Sequence, residues 1–385
     1  MALKPLRSQM PVAEQYAYFD HAAVAPIPRV AAERLRWYSE DLCRNGDKNW
    51  LLWSNILAQL RTGLAELLNA SESEVALVSN TTQGINLVAD GFPWKSGDNV
   101  VIPENEFPSN LVPWRNLERK GVEMRALKVL PDGEISLAAL DQLIDQRTRI
   151  VSLSWVGFSS GFRLDLAAVS ELVHRRGALL FVDAIQGLGA FPLDVRSSEI
   201  DFLAADGHKW LLGPEGAGVL YVREPLLELL TPLMIGWNSL SDGGFDPNSV
   251  KLKTTAARYE GGSMNMPGML AFEASLGVLM NLGAQLSDSP VAAAILENVE
   301  LLVDRLQSAN FKVHLPPKVE NRSGILGVDW PGAEPQAARK HCLANDVLLS
   351  VRSGRLRVST HAYNDSADID RLVASLVTAR AQQAC

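Results

Sequence analysis

The chain has 385 residues, of which 47% are hydrophobic and 21% are charged, a composition that is typical of folded, soluble proteins and argues against a disordered or collagen-like chain. At this length we expect roughly two to three domains around a sizeable core. The 36 Lys and Arg residues against 44 Asp and Glu residues give a net charge of −8, so the chain repels phosphate backbones and anionic lipid surfaces, and nucleic acid is not an expected partner.

The spacing of the cysteines and the character of the first residues bear on metal binding and on the cellular compartment. Cys43, Cys342 and Cys385 lie far apart and form no CxxC or Cys/His pattern of the kind that binds zinc, so no metal site is predicted. The first residues lack the apolar core of a secretion signal, and no window approaches the ~18 apolar residues that span a bilayer. We therefore predict a cytoplasmic protein that is neither exported nor embedded in a membrane.

The N-terminal part begins with an irregular segment and continues with helices. Residues 1–30 are punctuated by prolines, and we predict that they lack regular structure and pack near the functional site. Apolar residues then recur at helical spacing from Val30 to Cys43 and from Leu51 to Leu68, which predicts two helices.

From residue 75 onward, short apolar strands alternate with amphipathic helices. Strands are predicted at Val75–Ser79, Asn99–Pro103, Glu123–Val129, Arg149–Leu153, Ala178–Val182, Phe202–Ala205 and Gly218–Val222. Helices are predicted between them at Thr82–Asp90, Ser136–Gln146 and Leu166–Arg176. Such alternation is typical of a mostly parallel sheet with helices on both faces, so residues 31–262 are predicted to form a large α/β domain that binds ligands beyond the carboxyl ends of its strands.

After about residue 262 the pattern changes to long helices and short strands. Helices are predicted at Gly268–Asn281, Ala292–Ser308 and Ser366–Arg380, and strands near Phe311–Leu315, Ser323–Val328, Leu348–Val351 and Leu356–Ser359. We predict a smaller α+β domain over residues 263–385. The stretch from Asn238 to Ser249 is predicted to be a surface loop rather than a linker, because patterned sequence resumes after it.

Lys209, just after a predicted strand, is the sharpest chemical feature. It lies in the run Asp206-Gly207-His208-Lys209-Trp210, where its amine suits a Schiff base, although a lone lysine is more simply a solvated surface residue. Asp183 ends a buried apolar strand, where a carboxylate needs a cationic partner such as the pyridinium nitrogen of pyridoxal phosphate; capping the next helix is the structural alternative.

A hydroxyl-rich turn is a candidate phosphate-binding site. The run Ser79-Asn80-Thr81-Thr82-Gln83-Gly84 leads from a predicted strand into a helix, and hydroxyls with free backbone N–H groups at a helix N-terminus bind phosphate. A simple threonine N-cap explains the turn equally well by itself. The combination with Lys209 and Asp183 favours the cofactor.

With these residues, the sequence resembles the class V aminotransferases, a family of fold-type I pyridoxal phosphate enzymes. The family includes cysteine desulfurases, isopenicillin N epimerase-like proteins and kynureninases. The resemblance covers nearly the whole chain and rests on Tyr18–Ala23, Asn80–Gln83, Glu106–Asn110, Val182–Gln186, Gly207–Lys209, Arg258–Ser263 and Leu356–Ser359. It implies a fold-type I transferase fold, with a mostly parallel seven-stranded sheet in the large domain and a smaller α+β domain.

The resemblance also implies roles for individual residues. Lys209 would form the Schiff base with pyridoxal 5'-phosphate, Asp183 would partner the pyridinium nitrogen, and Gln186 would reach the phenolic oxygen. The phosphate would be bound by Thr81, Thr82 and His208, with Ser263 contributed by the neighbouring subunit of a homodimer with shared active sites.

Two further residues are expected at the substrate side. Phe107 would stack on the cofactor ring where desulfurases have a histidine, although an ordinary core phenylalanine is the alternative. Arg357 would hold the substrate carboxylate with its planar guanidinium, a surface ion pair being the alternative.

Three positions depart from the desulfurase pattern. The run from Ser350 to Arg357 lacks the loop and the nucleophilic cysteine that desulfurases carry before the carboxylate-binding arginine, which disfavours desulfuration through a persulfide. Phe158 stands where desulfurases often have an asparagine. Asp206 stands where they have a phosphate-binding serine, and an acidic side chain repels phosphate unless it faces away, so Asp206 is left out of the expected phosphate site.

The function predicted from the sequence is transamination of an amino acid by Lys209 and the cofactor. One alternative is a lyase or epimerase that uses the same residues, of the selenocysteine lyase, isopenicillin N epimerase or kynureninase kind. Another is an α/β binding protein that keeps the fold without catalysis.

Overall fold

A computed structural model describes residues 2–242, 250–330 and 334–383 of the chain. Part of the predicted surface loop, residues 243–249, lies outside these ranges, as does Cys385. The helices are α1 Lys4–Ser8, α2 Val12–Gln15, α3 Arg29–Asn45, α4 Trp50–Leu68, α5 Thr81–Gly91, α6 Val112–Arg115, α7 Leu137–Leu143, α8 Leu166–Arg175, α9 Met266–Asn281, α10 Pro290–Ser308, α11 Pro335–Ala344 and α12 Ser366–Gln383.

The strands form three sheets. They are β1 Ala17–Tyr18, β2 Val75–Val78, β3 Asn99–Pro103, β4 Glu123–Leu127, β5 Thr148–Ser154, β6 Leu179–Asp183, β7 Phe202–Asp206, β8 Gly218–Val222, β9 Val313–His314, β10 Ile325–Val328, β11 Val347–Leu348, β12 Ser350–Arg352 and β13 Arg355–Ser359. The large sheet has seven strands in the order β2-β8-β7-β6-β5-β3-β4. Its strands are parallel except that β8 runs antiparallel to both neighbours, which confirms the predicted fold class.

Apolar residues on both faces hold the large sheet between helices. Along β3, Val101 packs into one core cluster, while Val100 and Ile102 pack into another on the opposite face, as the alternation of a strand requires. Helix α5 approaches β7 so closely that a Cβ on Gly84 would lie 2.7 Å from the Cβ of Ala204. This close packing fixes where the N-terminus of α5 meets the carboxyl end of the sheet.

A smaller antiparallel sheet follows in the order β12-β13-β10-β9. β12 and β13 form a hairpin whose two turn residues, Ser353 and Gly354, have φ angles of 50° and 75°, the positive values that a tight two-residue hairpin turn needs. The single strand predicted at Leu348–Val351 is wrong, because the chain changes sheets there and forms β11 and β12 instead.

The N-terminal segment is more regular than its prolines predict. It forms α1, α2 and β1, and β1 pairs in parallel with β11 from the far end of the chain. That pairing is a long-range contact, which local sequence does not encode, so the prediction of an irregular segment is wrong. In the described ranges no helix combines the length and the apolar character that crossing a membrane requires.

Candidate active site

A cavity of about 300 Å³ lies at the carboxyl edge of the large sheet, where the fold class predicts a ligand. The segments that follow β2, β3, β5, β6 and β7 contribute to its wall, together with residues 22–24 and the β12–β13 hairpin. Eight of the nine residues predicted from the sequence line it, namely Thr81, Thr82, Phe107, Asp183, Gln186, His208, Lys209 and Arg357.

Ser263 is the ninth predicted residue, and it does not line this cavity. Its side chain is exposed on the chain surface. The sequence assigned it to the site of a neighbouring subunit, and that assignment stays a prediction.

Lys209 lies in the loop after β7, with its amine inside the cavity. A tight backbone turn places it there, because Gly207 donates its N–H to the carbonyl of Ala217 at 2.8 Å and a Cβ on Gly207 would meet that oxygen at the same distance. Burial lowers the pKa of the Lys209 amine to about 8, although nearby Asp183 raises it. A fraction of this amine is therefore neutral and nucleophilic near neutral pH.

Asp183 ends β6 and points into the same cavity with 3% of its surface exposed. Its Oδ1 accepts a hydrogen bond from the backbone N–H of Ile185 at 3.1 Å. Burial raises the pKa of Asp183 to about 6, an effect that the Lys209 ammonium and the Ile185 bond oppose. A buried carboxylate without a close cationic partner suits a positively charged ring nitrogen.

Glu106 lies behind the wall of the cavity and was given no role from the sequence. Its carboxylate accepts hydrogen bonds from the backbone N–H of Ser154, at 2.6 Å, and from the Ser154 hydroxyl. Burial, assisted by the charge of Asp183 and opposed by the hydrogen bonds from Ser154, raises the pKa of Glu106 to about 7. Ser154 pairs in register with Asp183, so Glu106 orders the strand end next to that residue.

The N-terminus of α5 lines the cavity as well. Asn80 caps the helix by accepting from the Gln83 N–H at 2.8 Å, and the Thr82 hydroxyl donates to Ser109 at 2.8 Å. Among the residues that the structure describes, the buried Thr81 hydroxyl oxygen has no hydrogen-bond partner. Free backbone N–H groups, the helix dipole and this hydroxyl together make an anion site.

Gln186 is held by residues on both sides of the cavity. It accepts from the Trp210 indole N–H at 2.9 Å and donates to the Ala22 carbonyl at 3.0 Å. Trp210 follows Lys209 directly, and Ala22 belongs to the N-terminal segment. The amide orientation is therefore fixed, which leaves one N–H of Gln186 for a ligand.

Asp206 was left out of the expected phosphate site, because its charge repels a phosphate unless it faces away. Asp206 lines the wall beside His208, and one carboxylate oxygen lies 3.1 Å from Nδ1 of that histidine. Next to His208, the carboxylate is set to pair with the imidazole rather than to stand alone.

Arg357 lies at the other end of the cavity, 2% exposed, on β13. Its guanidinium donates to the Ser350 hydroxyl at 3.1 Å, to the Phe158 carbonyl at 2.9 Å and to Asp20 at 3.4 Å. Burial lowers its pKa to about 10, so it remains a cation at neutral pH. These bonds use three of its five N–H groups, and two are free for a substrate carboxylate.

Phe107 forms the wall between these two ends. Its ring centroid lies 5.7 Å from the Lys209 Nζ and 5.5 Å from the ring of Phe158. The side chain is 41% exposed, so it is not an ordinary core phenylalanine. A flat aromatic face beside the amine is what stacking on a planar cofactor requires.

The side chains that line the cavity therefore match the chemical groups of pyridoxal phosphate. In the described residues, the cavity has an unpartnered hydroxyl at a helix N-terminus for the phosphate, a buried carboxylate without an ion pair for the ring nitrogen, and a buried amine of lowered pKa in the same wall. The described cysteines lie elsewhere: Cys43 is exposed on α3 and Cys342 is buried on α11.

Comparisons with known proteins agree with this class of site. The model of the family described as Aminotransferase class-V matches residues 17–372, so the chain belongs to this family, whose cofactor is pyridoxal phosphate. A probable cysteine desulfurase from Methanothermobacter thermautotrophicus is 28% identical over 393 residues, which cover 97% of this chain and 96% of the relative. The cysteine desulfurase of Shigella sonnei is 29% identical over 83% of this chain and 81% of its own length.

Solved structures confirm the fold. An apo cysteine desulfurase from Thermococcus onnurineus NA1 superposes with a TM-score of 0.89 at 22% identity and covers 98% of both chains. The cystine C–S lyase C-DES, in complex with its product cysteine persulfide, has a TM-score of 0.88 at 25% identity, covering 96% of this chain and 99% of that chain. The chain is thus a class V pyridoxal phosphate enzyme of fold type I.

Proposed function

We propose that this chain is a pyridoxal phosphate-dependent lyase that cleaves the bond between Cβ and its substituent in an α-amino acid, without a thiol of its own. The observation that carries the proposal is a buried amine of lowered pKa, Lys209, that shares one cavity with a partly free guanidinium, Arg357, while neither described cysteine lines that cavity.

The residues that would hold the cofactor divide by its parts. Thr81, Thr82 and His208 would bind the phosphate, Asp183 would lie against the ring nitrogen, and Gln186 would donate to the phenolic oxygen. Lys209 would hold it covalently, and Phe107 would cover one ring face. When bound, the cofactor supplies an electron-withdrawing ring that stabilises negative charge at Cα.

Lys209 and Arg357 would act on the substrate itself. The two free N–H groups of Arg357 bind the α-carboxylate in a bidentate way and so orient the Cα–H bond toward the amine. The neutral Lys209 amine, favoured by burial, takes the Cα proton as a general base. The Cβ substituent leaves with its bonding electrons and takes up the proton that Lys209 removed from Cα. The remaining 2,3-unsaturated amino acid reacts with one water and releases a 2-oxo acid and ammonia.

The missing thiol separates this proposal from a persulfide mechanism. In the residues described, β12 joins β13 through the two-residue turn Ser353-Gly354, so the chain has neither a long loop nor a cysteine at that point. The names of the relatives support a lyase, and C-DES is named as a lyase of cystine.

Transamination is the second candidate, and one observation favours it. Phe107 has no exchangeable proton, so that wall of the cavity provides no acid for a departing group, and the transamination predicted from the sequence needs only Lys209 to move the proton. The same residues can support both elimination and transamination, and the substrate decides between them.

One experiment separates the two candidates from each other and from a non-catalytic binding protein. The holoenzyme is mixed with a panel that contains cysteine, cystine, alanine and glutamate, and 2-oxo acid, ammonia, sulfide and pyridoxamine phosphate are measured together. A lyase releases ammonia and 2-oxo acid from β-substituted amino acids and keeps its cofactor. Pyridoxamine phosphate without ammonia supports transamination. A protein that stays colourless with pyridoxal phosphate contradicts both.

We also infer that the phosphate site is completed in a homodimer by Ser263 of a second copy of the chain. Ser263 is exposed and lies outside the cavity of its own chain, which is the placement such a contribution needs. Sedimentation of the holoenzyme tests the dimer. If Ser263 contributes to the phosphate site, Ser263→Ala should bind the cofactor more weakly than wild type. Ser8→Ala, at an exposed helix end, is the control and should bind it normally.

A further inference from the structure

A second cavity adjoins the active site behind the β12–β13 hairpin. It has a volume of about 530 Å³, and it shares two lining residues, Arg352 and Arg357, with the active-site cavity. The two spaces therefore meet at the guanidinium that is placed to hold the substrate carboxylate. A substrate bound at Arg357 has room there for a side chain.

The register of the hairpin places its arginines on one face. Ser350 lies opposite Arg357 and Arg352 lies opposite Arg355, and residues two apart on a strand share a face. Because only the two residues Ser353 and Gly354 join the strands, Arg352 is paired with Arg355 and lies on this face. The Cα of Arg352 thus lies roughly 7 Å along the strand from the Cα of Ser350, the residue opposite Arg357.

Charge compensation differs sharply between these arginines. Arg355 donates to Asp329 at 2.9 Å, and Arg357 donates to Asp20 at 3.4 Å. Arg352 donates only to the carbonyl of its neighbour Val351, at 2.9 Å, and makes no ion pair with any residue in the described ranges. Arg352 is exposed and acts to lower the pKa of Asp20, but that carboxylate accepts its hydrogen bond from Arg357, so two guanidiniums share one carboxylate.

Acidic residues of the second cavity do not supply a second anion. Glu104 and Asp132 line this cavity, but neither makes an ion pair with Arg352 in the described ranges, and the Asp132 carboxylate accepts from the backbone N–H of Glu134. The charge of Arg352 does reach the active site, since it lowers the pKa of both Lys209 and Arg357. Asp20 offsets only one of the two guanidinium charges, so a second anion bound at Arg352 would be stabilised.

We propose that Arg352 binds an anionic group at the end of the substrate's side chain, while Arg357 binds the α-carboxylate. This inference rests on the proposed function, and it narrows the substrate class to α-amino acids whose side chain ends in a carboxylate or a similar oxyanion. A guanidinium forms paired, charge-assisted hydrogen bonds with such groups and distinguishes them from neutral groups of the same shape.

Ligands matched in shape and different in charge test the proposal. The holoenzyme is titrated with aspartate against asparagine, following the cofactor absorbance, and S-carboxymethylcysteine is compared with S-carbamoylmethylcysteine by kcat/KM. We expect wild type to prefer the anionic member of at least one pair by about tenfold or more. Arg352→Gln abolishes that preference.

Arg355→Gln is the matched control, because it removes the opposing guanidinium, which Asp329 already neutralises, and it keeps the preference. Equal loss for the charged and the neutral ligand in Arg352→Gln overturns the proposal, since Arg352 then serves the α-carboxylate or the fold. Absence of any preference in wild type also overturns it, while reaction with both ligands leaves the lyase proposal standing. If no amino acid changes the absorbance at all, the proposed function fails and this subsite fails with it.

Discussion

The cofactor end and the substrate end of the cavity are built in different ways. At the cofactor end, Asp183 ends β6, Lys209 follows the neighbouring strand β7, and the N-terminus of α5 packs against the same sheet. At the substrate end, Arg357 comes from the small sheet and is held by the Phe158 carbonyl and by Asp20, 199 and 337 residues away in the chain. Sheet topology therefore positions the cofactor end, whereas contacts between distant segments of the chain position the substrate end.

This difference separates cofactor chemistry from substrate choice. The large sheet places a carboxylate, an amine and a phosphate site at one edge whatever the small sheet does. In the proposed function, the hairpin sets which anions the substrate must carry, through the positions of Arg352 and Arg357. A change in the hairpin turn can alter the substrate while the cofactor stays in place.

Removing Lys209 breaks the cofactor end and has the largest expected effect. Lys209→Ala should lower the rate of the amino acid reaction by about 10²–10⁴-fold, because the general base is lost. Borohydride treatment of wild type followed by peptide mass mapping should place the cofactor on Lys209. Lys95→Ala, at an exposed position, is the control and should react normally. A label on another lysine contradicts the assignment.

Removing Arg357 breaks the substrate end alone. Arg357→Gln should weaken binding of amino acids by about ten- to a hundredfold, since a charge-assisted hydrogen bond contributes ~1.5–3 kcal/mol, while the phosphate site still holds the cofactor. Titrations with an amino acid and with the matching decarboxylated amine measure the effect. The variant should lose its preference for the acid, and an unchanged preference would count against a carboxylate role.

The cofactor end could be predicted from the sequence because its signals are local. A buried strand that ends in Asp183, a strand followed by Gly207-His208-Lys209 and a hydroxyl-rich helix start each occupy a few residues, and the carboxyl edge of a parallel sheet brings them together. The predicted bounds of β3 and β8 also match the structure, since short apolar runs between turn signals define them.

The substrate end could be predicted only in part, because it depends on long-range pairing. Arg357 was identified through the family resemblance, but the partners that fix it lie on other segments. Arg352 was missed, although Ser353-Gly354 between two apolar runs is a turn signal that places it opposite Arg355. Strand β1 was missed for the same reason, since it exists only through its pairing with β11.

The pH dependence of Lys209 sharpens the comparison, because both ends of the cavity act on its pKa. Burial lowers this pKa from 10.5 to about 8, Asp183 raises it and Arg357 lowers it. Only the neutral amine attacks an aldehyde, so the initial rate at which the apoprotein takes up pyridoxal phosphate should rise with pH through a midpoint near 8. Asp183→Asn should move the midpoint to lower pH, and Arg357→Gln to higher pH. A wild-type midpoint near 10.5 would mean that the amine is solvated.

Substitution of the cysteines should have the smallest effect, and that small effect is informative. Cys43 is exposed on α3, and Cys342 packs in the core of the small sheet with its sulfur 3.5 Å from the Ser375 hydroxyl; neither lines the cavity. Cys43→Ser should leave both stability and reaction rate unchanged. Cys342→Ala should cost about 1 kcal/mol of unfolding free energy through lost packing, with an unchanged rate at a temperature where the protein is folded. Cys385→Ser completes the set. If any of these variants abolished sulfide release from cysteine, the reaction would depend on a protein thiol, and the absence of a cysteine from the hairpin turn would no longer separate this chain from its desulfurase relatives.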